Sequence, residues 1–175
     1  MTIRQYQDKD KARLEDICRI TDRAHLEDEL LLTLYLRYYI TYEKENCFVA
    51  ADDEDNAVGY IISTKEWNVW KEDFPRFLLE GKRKEIVEKG MDGIESFAPF
   101  AKEYPAHLHI DILPSCQRMG LGHRLMDALV SHYRKEGVAG LMLGVDPENE
   151  KGVNFYKKYG FKPLDQSGVW WGLKL

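Results

Sequence analysis

Residues 106–122 read AHLHIDILPSCQRMGLG, and this stretch decides the fold. Apolar and polar residues alternate as far as Ile112, which predicts a strand with one apolar and one polar face. After a polar turn, apolar residues recur at four-residue steps from Leu121 onward, and Gly137 is a typical helix end. The stretch therefore predicts a strand, a glycine-bearing turn and a helix.

The turn before this helix has the features of an anion-binding site. Gly120 and Gly122 let the backbone bend tightly and approach a ligand closely. The helix behind them presents unpaired N–H groups and the positive end of its dipole. Arg118, His123 and Arg124 can add positive charge. Together these features predict a site for a pyrophosphate.

The glycine spacing excludes two common nucleotide motifs. A phosphate-binding loop would end in Gly-Lys-Ser/Thr, and a dinucleotide fingerprint would need a third glycine where Leu125 stands. The remaining pattern, Gln117-Arg118-Met119-Gly120-Leu121-Gly122, resembles the Gln/Arg-x-x-Gly-x-Gly/Ala motif of the GNAT superfamily of N-acetyltransferases, whose ligand is acetyl-CoA.

A second segment resembles the other half of the same signature. It reads VDPEN over residues 145–149 and NFYKKYGF over 154–161. The resemblance is close over 106–162, and it implies a mixed α/β central sheet flanked by helices, with strands splayed at the coenzyme site. Residues 109–114 and 144–149 also look like the acetyltransferase-like domain of some O-GlcNAc hydrolases and its free-standing bacterial relatives.

The resemblance implies a set of coenzyme-binding residues. The backbone of Ile112 and Leu113 is expected to supply the oxyanion donor and the pantetheine contacts. Asn149 matches an asparagine that bonds the coenzyme arm, and Tyr156 matches a tyrosine that donates a proton to the departing thiolate. The full set is Ile112, Leu113, Gln117, Arg118, Met119, Gly120, Leu121, Gly122, His123, Asn149 and Tyr156.

The general base is sought on the polar face of the predicted strand. His107, His109 and Asp111 share that face by alternation. Asp111 is the first choice, directly or through a water, and His109 is the second; the alternative is that both only satisfy buried backbone groups. A metal site would need further ligands, for which only three other histidines remain, and no metal is expected.

The rest of the chain predicts one acetyltransferase domain over 1–175. A strand at 2–6 and a helix precede a second helix at 26–43, whose aromatic face either packs in the core or lines an acceptor cleft. Residues 47–62 predict a hairpin. The aromatic and charged segment 66–105 is expected to be an insertion, either a lid or a helical pair on the sheet.

Composition bounds the partners. The net charge of −5 over 175 residues argues against nucleic-acid binding. The most apolar run, Leu30–Leu36, is too short to span a membrane. Three unpatterned cysteines and the lack of a signal-peptide pattern predict a cytoplasmic protein. A homodimer with Trp170-Trp171 at its contact is one possibility, and core packing of both rings is the other.

These observations predict an N-acetyltransferase that moves the acetyl group of acetyl-CoA directly to an amine of a small-molecule or peptide acceptor. Two alternatives stay open. The chain could be a non-catalytic acetyl-CoA-binding sensor or interaction module, or it could transfer a longer acyl group.

Overall fold

A seven-stranded sheet forms the centre of the computed structural model, which describes all residues from Met1 to Leu175. Its order is β1-β2-β3-β4-β5-β7-β6, and every neighbouring pair is antiparallel except β4 and β5. The strands are β1 (Thr2–Gln5), β2 (Phe48–Ala51), β3 (Ala57–Thr64), β4 (Ala106–Ile112), β5 (Gly140–Gly144), β6 (Lys162–Pro163) and β7 (Trp170–Lys174). The predicted mixed α/β sheet is confirmed.

Seven helices flank the sheet. They are α1 (Lys11–Thr21), α2 (Asp28–Leu32), α3 (Tyr38–Tyr42), α4 (Trp67–Leu79), α5 (Lys84–Phe97), α6 (Leu121–Glu136) and α7 (Glu150–Tyr159). A π-helical turn, Thr33–Arg37, joins α2 to α3 without a break, so the predicted second helix is continuous but wider in its middle. Such π segments often occur at functional sites.

The helices lie on both faces of the sheet. Tyr60 of β3 lies against Cys18 of α1, whereas Ser63 of β3 accepts a 2.7 Å hydrogen bond from the Tyr133 hydroxyl of α6. Residues three apart on a strand point to opposite faces. Helix α1 therefore covers the face that carries Tyr60, and α6 covers the other.

The segment 66–105 folds as two helices, α4 and α5, that pack on β4. Trp70 and Phe97 are buried, and each ring centroid lies 4.4 Å from that of His107. Of the two alternatives for this segment, the structure has the helical pair. The aromatic side chains bury a large apolar area each, which explains why the pair docks on the sheet.

The two terminal tryptophans pack inside the protein. Trp171 is buried, and the half-buried Trp170 ring lies 4.9 Å from the Phe97 ring. Of the two possibilities for this pair, the structure has core packing, because adjacent strand residues point to opposite faces and both rings pack against the core of the same chain. A homodimer stays a prediction. None of the helices combines the length and apolar character needed to cross a membrane.

Candidate active site

The parallel strands β4 and β5 separate soon after they meet. They pair only at Ala106 with Leu141 and at His107 with Met142, although β4 continues to Ile112 and β5 to Gly144. The backbone edges beyond these pairs face each other across a gap. An open pair of strand edges can accept an extended chain by strand addition.

The backbone N–H of Ile112, at the end of β4, points into this gap. The next N–H along the chain, that of Leu113, donates a 2.9 Å hydrogen bond to the carbonyl oxygen of Val58 in β3. Bonded and non-bonded pairs alternate in antiparallel sheets, so the preceding pair, Gly59 with Ile112, is non-bonded. The Ile112 N–H therefore points away from β3 and toward β5, while that of Leu113 is already used.

The start of α6 carries unpartnered amides next to the gap. Gly120 is the residue before the helix and has φ 78°, and Arg118 has φ 62°. No side chain caps this end, and the N–H groups of Leu121, Gly122 and His123 donate to nothing within the chain. Three convergent donors at the positive end of a helix favour a phosphate ligand.

The two glycines of the turn have different reasons to be glycine. Gly120 needs left-handed backbone, and a Cβ there would meet no atom within 4 Å. Gly122 lies inside the helix, and a Cβ there would come within 3.1 Å of the Phe155 ring of α7. Gly120 therefore shapes the turn, and Gly122 lets α7 pack closely beside it.

A cleft of ≈ 1370 Å³ runs from this turn along the gap. The predicted residues that line it are Asp111, Ile112, Gln117, Arg118, Gly120, Gly122, His123, Asn149 and Tyr156. Leu113, Met119 and Leu121 do not line it: Leu113 and Leu121 are buried, and the Met119 side chain is exposed. Arg124 is also outside the cleft, since its guanidinium donates to the Met1 carbonyl at 3.2 Å.

A tyrosine of the neighbouring strand β3 holds the Asp111 side chain in place. The Tyr60 hydroxyl donates a 2.6 Å hydrogen bond to Oδ2 of Asp111, its cross-strand partner. Burial raises the pKa of Asp111, while the hydroxyls of Tyr60 and Thr21 oppose that rise by bonding the charged form. A carboxylate with a raised pKa in a cleft is suited to accept a proton.

Tyr156 faces the same space as Asp111. Burial raises the pKa of its phenol, and the negative charge of Asp111 raises it further. The raised pKa keeps this hydroxyl protonated. Because the hydroxyl makes no hydrogen bond within the chain, it can donate its proton to a ligand.

Asn149 begins α7, where its Oδ1 accepts a 3.1 Å hydrogen bond from the Gly152 N–H. This bond fixes the amide group as a helix cap. The Nδ2 atom has no partner within the chain, and the residue lines the cleft.

The two histidines of β4 have different surroundings. His107 is completely buried between Phe97 and Trp70, and its Nδ1 has no hydrogen-bond partner. His109 is half-buried, and burial lowers its pKa to about 4. The Tyr39 Oη lies 2.8 Å from Nε2 of His107 and 3.3 Å from Nε2 of His109.

His107, His109 and Asp111 therefore share a strand face but not a site. His107 belongs to the core, His109 lines a second cavity, and Asp111 lines the cleft. No group of three or more His, Cys, Asp or Glu side chains is arranged to hold a metal ion.

Sequence reasoning missed several residues that line the cleft or support it. Tyr60 became relevant only through the pairing of β3 with β4. The segment 20–23, at the end of α1, and His25 form one wall of the cleft, and Lys151 and Lys158 of α7 add positive charge. The two lysines could have been found from the sequence, because they lie seven residues apart, on one face of the helix of the second motif.

The split sheet and the uncapped helix beside it are the arrangement that the resemblance to the GNAT superfamily implied. The family model for the acetyltransferase (GNAT) family matches residues 14–161. The chain belongs to this family.

Individual proteins are similar over different lengths. The crystal structure of SsHAT has a TM-score of 0.87 at 27% identity and covers 99% of this chain and 97% of that one. Ard1 from Thermoplasma volcanium shares the fold, with a TM-score of 0.65 at 19% identity over 99% of this chain and 97% of that one. Mycothiol acetyltransferase of Paenarthrobacter aurescens is 38% identical over 56 residues, which are 32% of this chain and only 17% of that protein.

Proposed function

We propose that this protein binds acetyl-CoA in the cleft and transfers the acetyl group directly to an amine. The observation that carries the proposal is the set of unpartnered amides at Leu121, Gly122 and His123, which lie beside the gap between β4 and β5. A diphosphate at these amides and an extended pantetheine arm in the gap would satisfy both features at once.

The coenzyme would make contacts along the whole cleft. Arg118 and Lys158 line the cleft and can pair with its phosphates. The pantetheine arm would follow the free edge of β4 toward Ile112, whose N–H is left for the thioester carbonyl. Asn149 would donate from Nδ2 to the arm, because its Oδ1 is already used by Gly152.

The reaction needs a proton acceptor, an oxyanion donor and a proton donor. The amine attacks the thioester carbon, and Asp111 accepts the proton that the nitrogen loses as the C–N bond forms. The Ile112 N–H stabilises the negative carbonyl oxygen, and one such donor typically lowers the barrier by about 3–4 kcal/mol. Tyr156 gives its proton to the sulfur as the C–S bond breaks.

The proposed acceptor class is broader than the acceptor that any relative's name gives. The mycothiol acetyltransferases match through a short segment, so their acceptor is not carried over. A small-molecule or peptide amine is the proposed class. The three cysteines are buried and free, which fits a reducing compartment, and the proposed compartment is the cytoplasm.

Calorimetric titration with acetyl-CoA tests the binding half of the proposal. Arg118→Glu should weaken the affinity at least tenfold, because it reverses a charge beside the phosphates. Arg124→Glu is the matched control: it reverses a charge nearby on α6, outside the cleft, and should leave the affinity nearly unchanged.

Release of free CoA over a panel of amines tests the chemical half. Binding without release by any amine would leave a coenzyme-binding module and reject the transferase. No heat and no thermal shift at millimolar acetyl-CoA would reject the whole proposal.

A further inference from the structure

A second cavity lies on the face of the sheet that carries His109. Its volume is ≈ 320 Å³. Its walls are largely aromatic and comprise Tyr35, Tyr39, Trp70, Phe74, Phe97 and Trp170. An apolar cavity of about 150 Å³ holds one benzene, so this volume accommodates an aromatic ring with a short chain.

The cavity meets the gap between β4 and β5. His109 of β4 and Gly144 of β5 both line it. The parallel register pairs 106 with 141 and 107 with 142, and its continuation sets 109 opposite 144 across the gap. Asp111 follows two residues later, about 7 Å along the strand. A molecule in the cavity can therefore extend a short arm toward Asp111.

The lining favours an uncharged occupant. No aspartate or glutamate lines the cavity, and its one cation, Lys89, is paired with Glu85. An ammonium buried there would lose several kcal/mol of hydration, and cation–π contacts return only about 0.5–2 kcal/mol. An aromatic ring loses no such hydration and gains edge-to-face contacts.

One polar group of the lining lacks a partner. Trp70 is 2% exposed and lines the cavity, yet its indole N–H makes no hydrogen bond. A buried donor without a partner is costly. An oxygen substituent on a bound ring would supply the missing acceptor if the indole turned its N–H toward the cavity.

We propose that the acceptor is a small primary amine that carries an uncharged aromatic ring, with the ring bound in this cavity and the amine extended into the gap. The proposal rests on the proposed acetyl transfer and specifies its acceptor. The amine loses one proton to Asp111 as its nitrogen bonds the acetyl carbon. The C–S bond of the thioester breaks, and the CoA thiolate leaves as free CoA with the proton of Tyr156.

Gly93 offers a direct way to fill the cavity. It lies in α5 and lines the cavity, and a Cβ added there meets no atom within 4 Å. Gly93→Leu should occupy the space of the ring without a backbone clash. Gly93→Ala is the matched control, since it makes the same backbone change and adds only a methyl group.

The experiment compares 4-methoxyphenethylamine with n-butylamine as acceptors, by release of free CoA. The aromatic amine should have a kcat/KM at least tenfold higher. Gly93→Leu should lower its kcat/KM at least tenfold, leave that of butylamine nearly unchanged, and leave the calorimetric affinity for acetyl-CoA unchanged. Gly93→Ala should have a smaller effect.

A second measurement needs no variant. The alcohol 2-(4-methoxyphenyl)ethanol has the ring but no amine, and it should inhibit competitively against the aromatic amine. Equal kcat/KM for the two amines, an equal loss for both in Gly93→Leu, or no inhibition by the alcohol would overturn the aromatic acceptor and leave the transferase standing. Acetyl-CoA binding with no CoA release by any amine would overturn both.

Discussion

The Tyr60 hydroxyl lies 2.6 Å from Oδ2 of Asp111 and donates a hydrogen bond to it. The two residues are cross-strand partners in β3 and β4, so the sheet itself fixes their separation. Burial raises the pKa of Tyr60 well above its usual value, which keeps the hydroxyl protonated as a donor. Tyr60 therefore positions the proposed base and favours its charged form.

Tyr60→Phe should move the acid limb of the rate profile. Without this donor the pKa of Asp111 rises further, and the base is protonated over more of the working range. A hydrogen bond to a charged group is worth about 1.5–3 kcal/mol, so we expect a loss in kcat/KM of roughly 10- to 100-fold at neutral pH. The profile of kcat/KM against pH should shift to higher pH.

Tyr133→Phe is the control for this change. This substitution also removes a buried hydroxyl, which donates a 2.7 Å hydrogen bond to Ser63 on the opposite face of β3. It should lower the melting temperature without moving the acid limb. If both variants moved the limb equally, Tyr60 would have no particular effect on the base.

Asp111→Asn should separate activity from stability. The loss of the base should lower kcat by about 10²- to 10⁴-fold. Because burial raises the pKa of Asp111, the folded protein binds this proton more tightly than the unfolded chain, whose carboxyl has a pKa of about 3.9. The stability contributed by Asp111 is therefore lost as the pH rises above about 4 through the folded pKa.

The asparagine cannot ionise, so it should avoid that loss. Thermal unfolding should give Asp111→Asn a melting temperature at or above that of the parent at pH 7.5, and the two should converge near pH 4. A variant that is active but unstable at pH 7.5 would give Asp111 a structural role instead.

His109 should contribute to acid sensitivity. Burial lowers its pKa to about 4, so the folded protein resists a proton that the unfolded chain takes up near pH 6.5. Stability from this group is present above pH 6.5 and is lost as the pH falls toward 4. His109→Gln should therefore make the decline in unfolding free energy over this range shallower.

Chemical denaturation at several pH values tests the role of His109. If the unfolding free energy of His109→Gln declined as steeply as that of the parent, the imidazole of His109 would titrate as it does in the unfolded chain. With Asp111 as the base, His109→Gln should also keep kcat within about tenfold.

The strand alternation predicted which residues share a face but not how each is surrounded. His107 and Asp111 lie four residues apart on one face of β4, yet α4 and α5 bury the first and the cleft exposes the second. That difference depends on the packing of Trp70 and Phe97, which are distant in sequence. Local periodicity contains no information about such contacts.

The glycine turn shows the same limit. Its sequence predicted a helix beginning with open amides, and α6 begins in that way. The sequence did not predict that Gly122 makes room for Phe155, because this contact joins two helices. Likewise, Tyr60 carries no motif, and only the register between β3 and β4 brings it to Asp111.

Tyr156→Phe should slow the reaction without weakening the binding of acetyl-CoA. The hydroxyl is the proposed proton donor to sulfur, and general acid catalysis is typically worth about 10²- to 10⁴-fold. We expect kcat to fall at least 10²-fold, while the calorimetric Kd for acetyl-CoA changes less than about threefold.

Tyr159→Phe is the control one turn away in α7. Its hydroxyl donates to Asp127 at 2.8 Å, and the residue is not part of the cleft lining. It should leave kcat unchanged. A parallel loss of binding and turnover in Tyr156→Phe would mean that this tyrosine holds the coenzyme and does not supply the proton.

Gly120→Ala and Gly137→Ala compare the two ends of α6. Both glycines are left-handed, with φ 78° and 73°, and a Cβ at either meets no atom within 4 Å. Each change should cost about 1–2 kcal/mol of backbone strain, so the two melting temperatures should fall alike.

Only Gly120 precedes the open amides of Leu121, Gly122 and His123, and relief of its strain would turn those amides away from a phosphate. Gly120→Ala should therefore raise the calorimetric Kd for acetyl-CoA at least tenfold, while Gly137→Ala leaves this Kd unchanged. Equal weakening by both would trace the effect to global stability, and no weakening by either would mean that the amides do not hold the coenzyme.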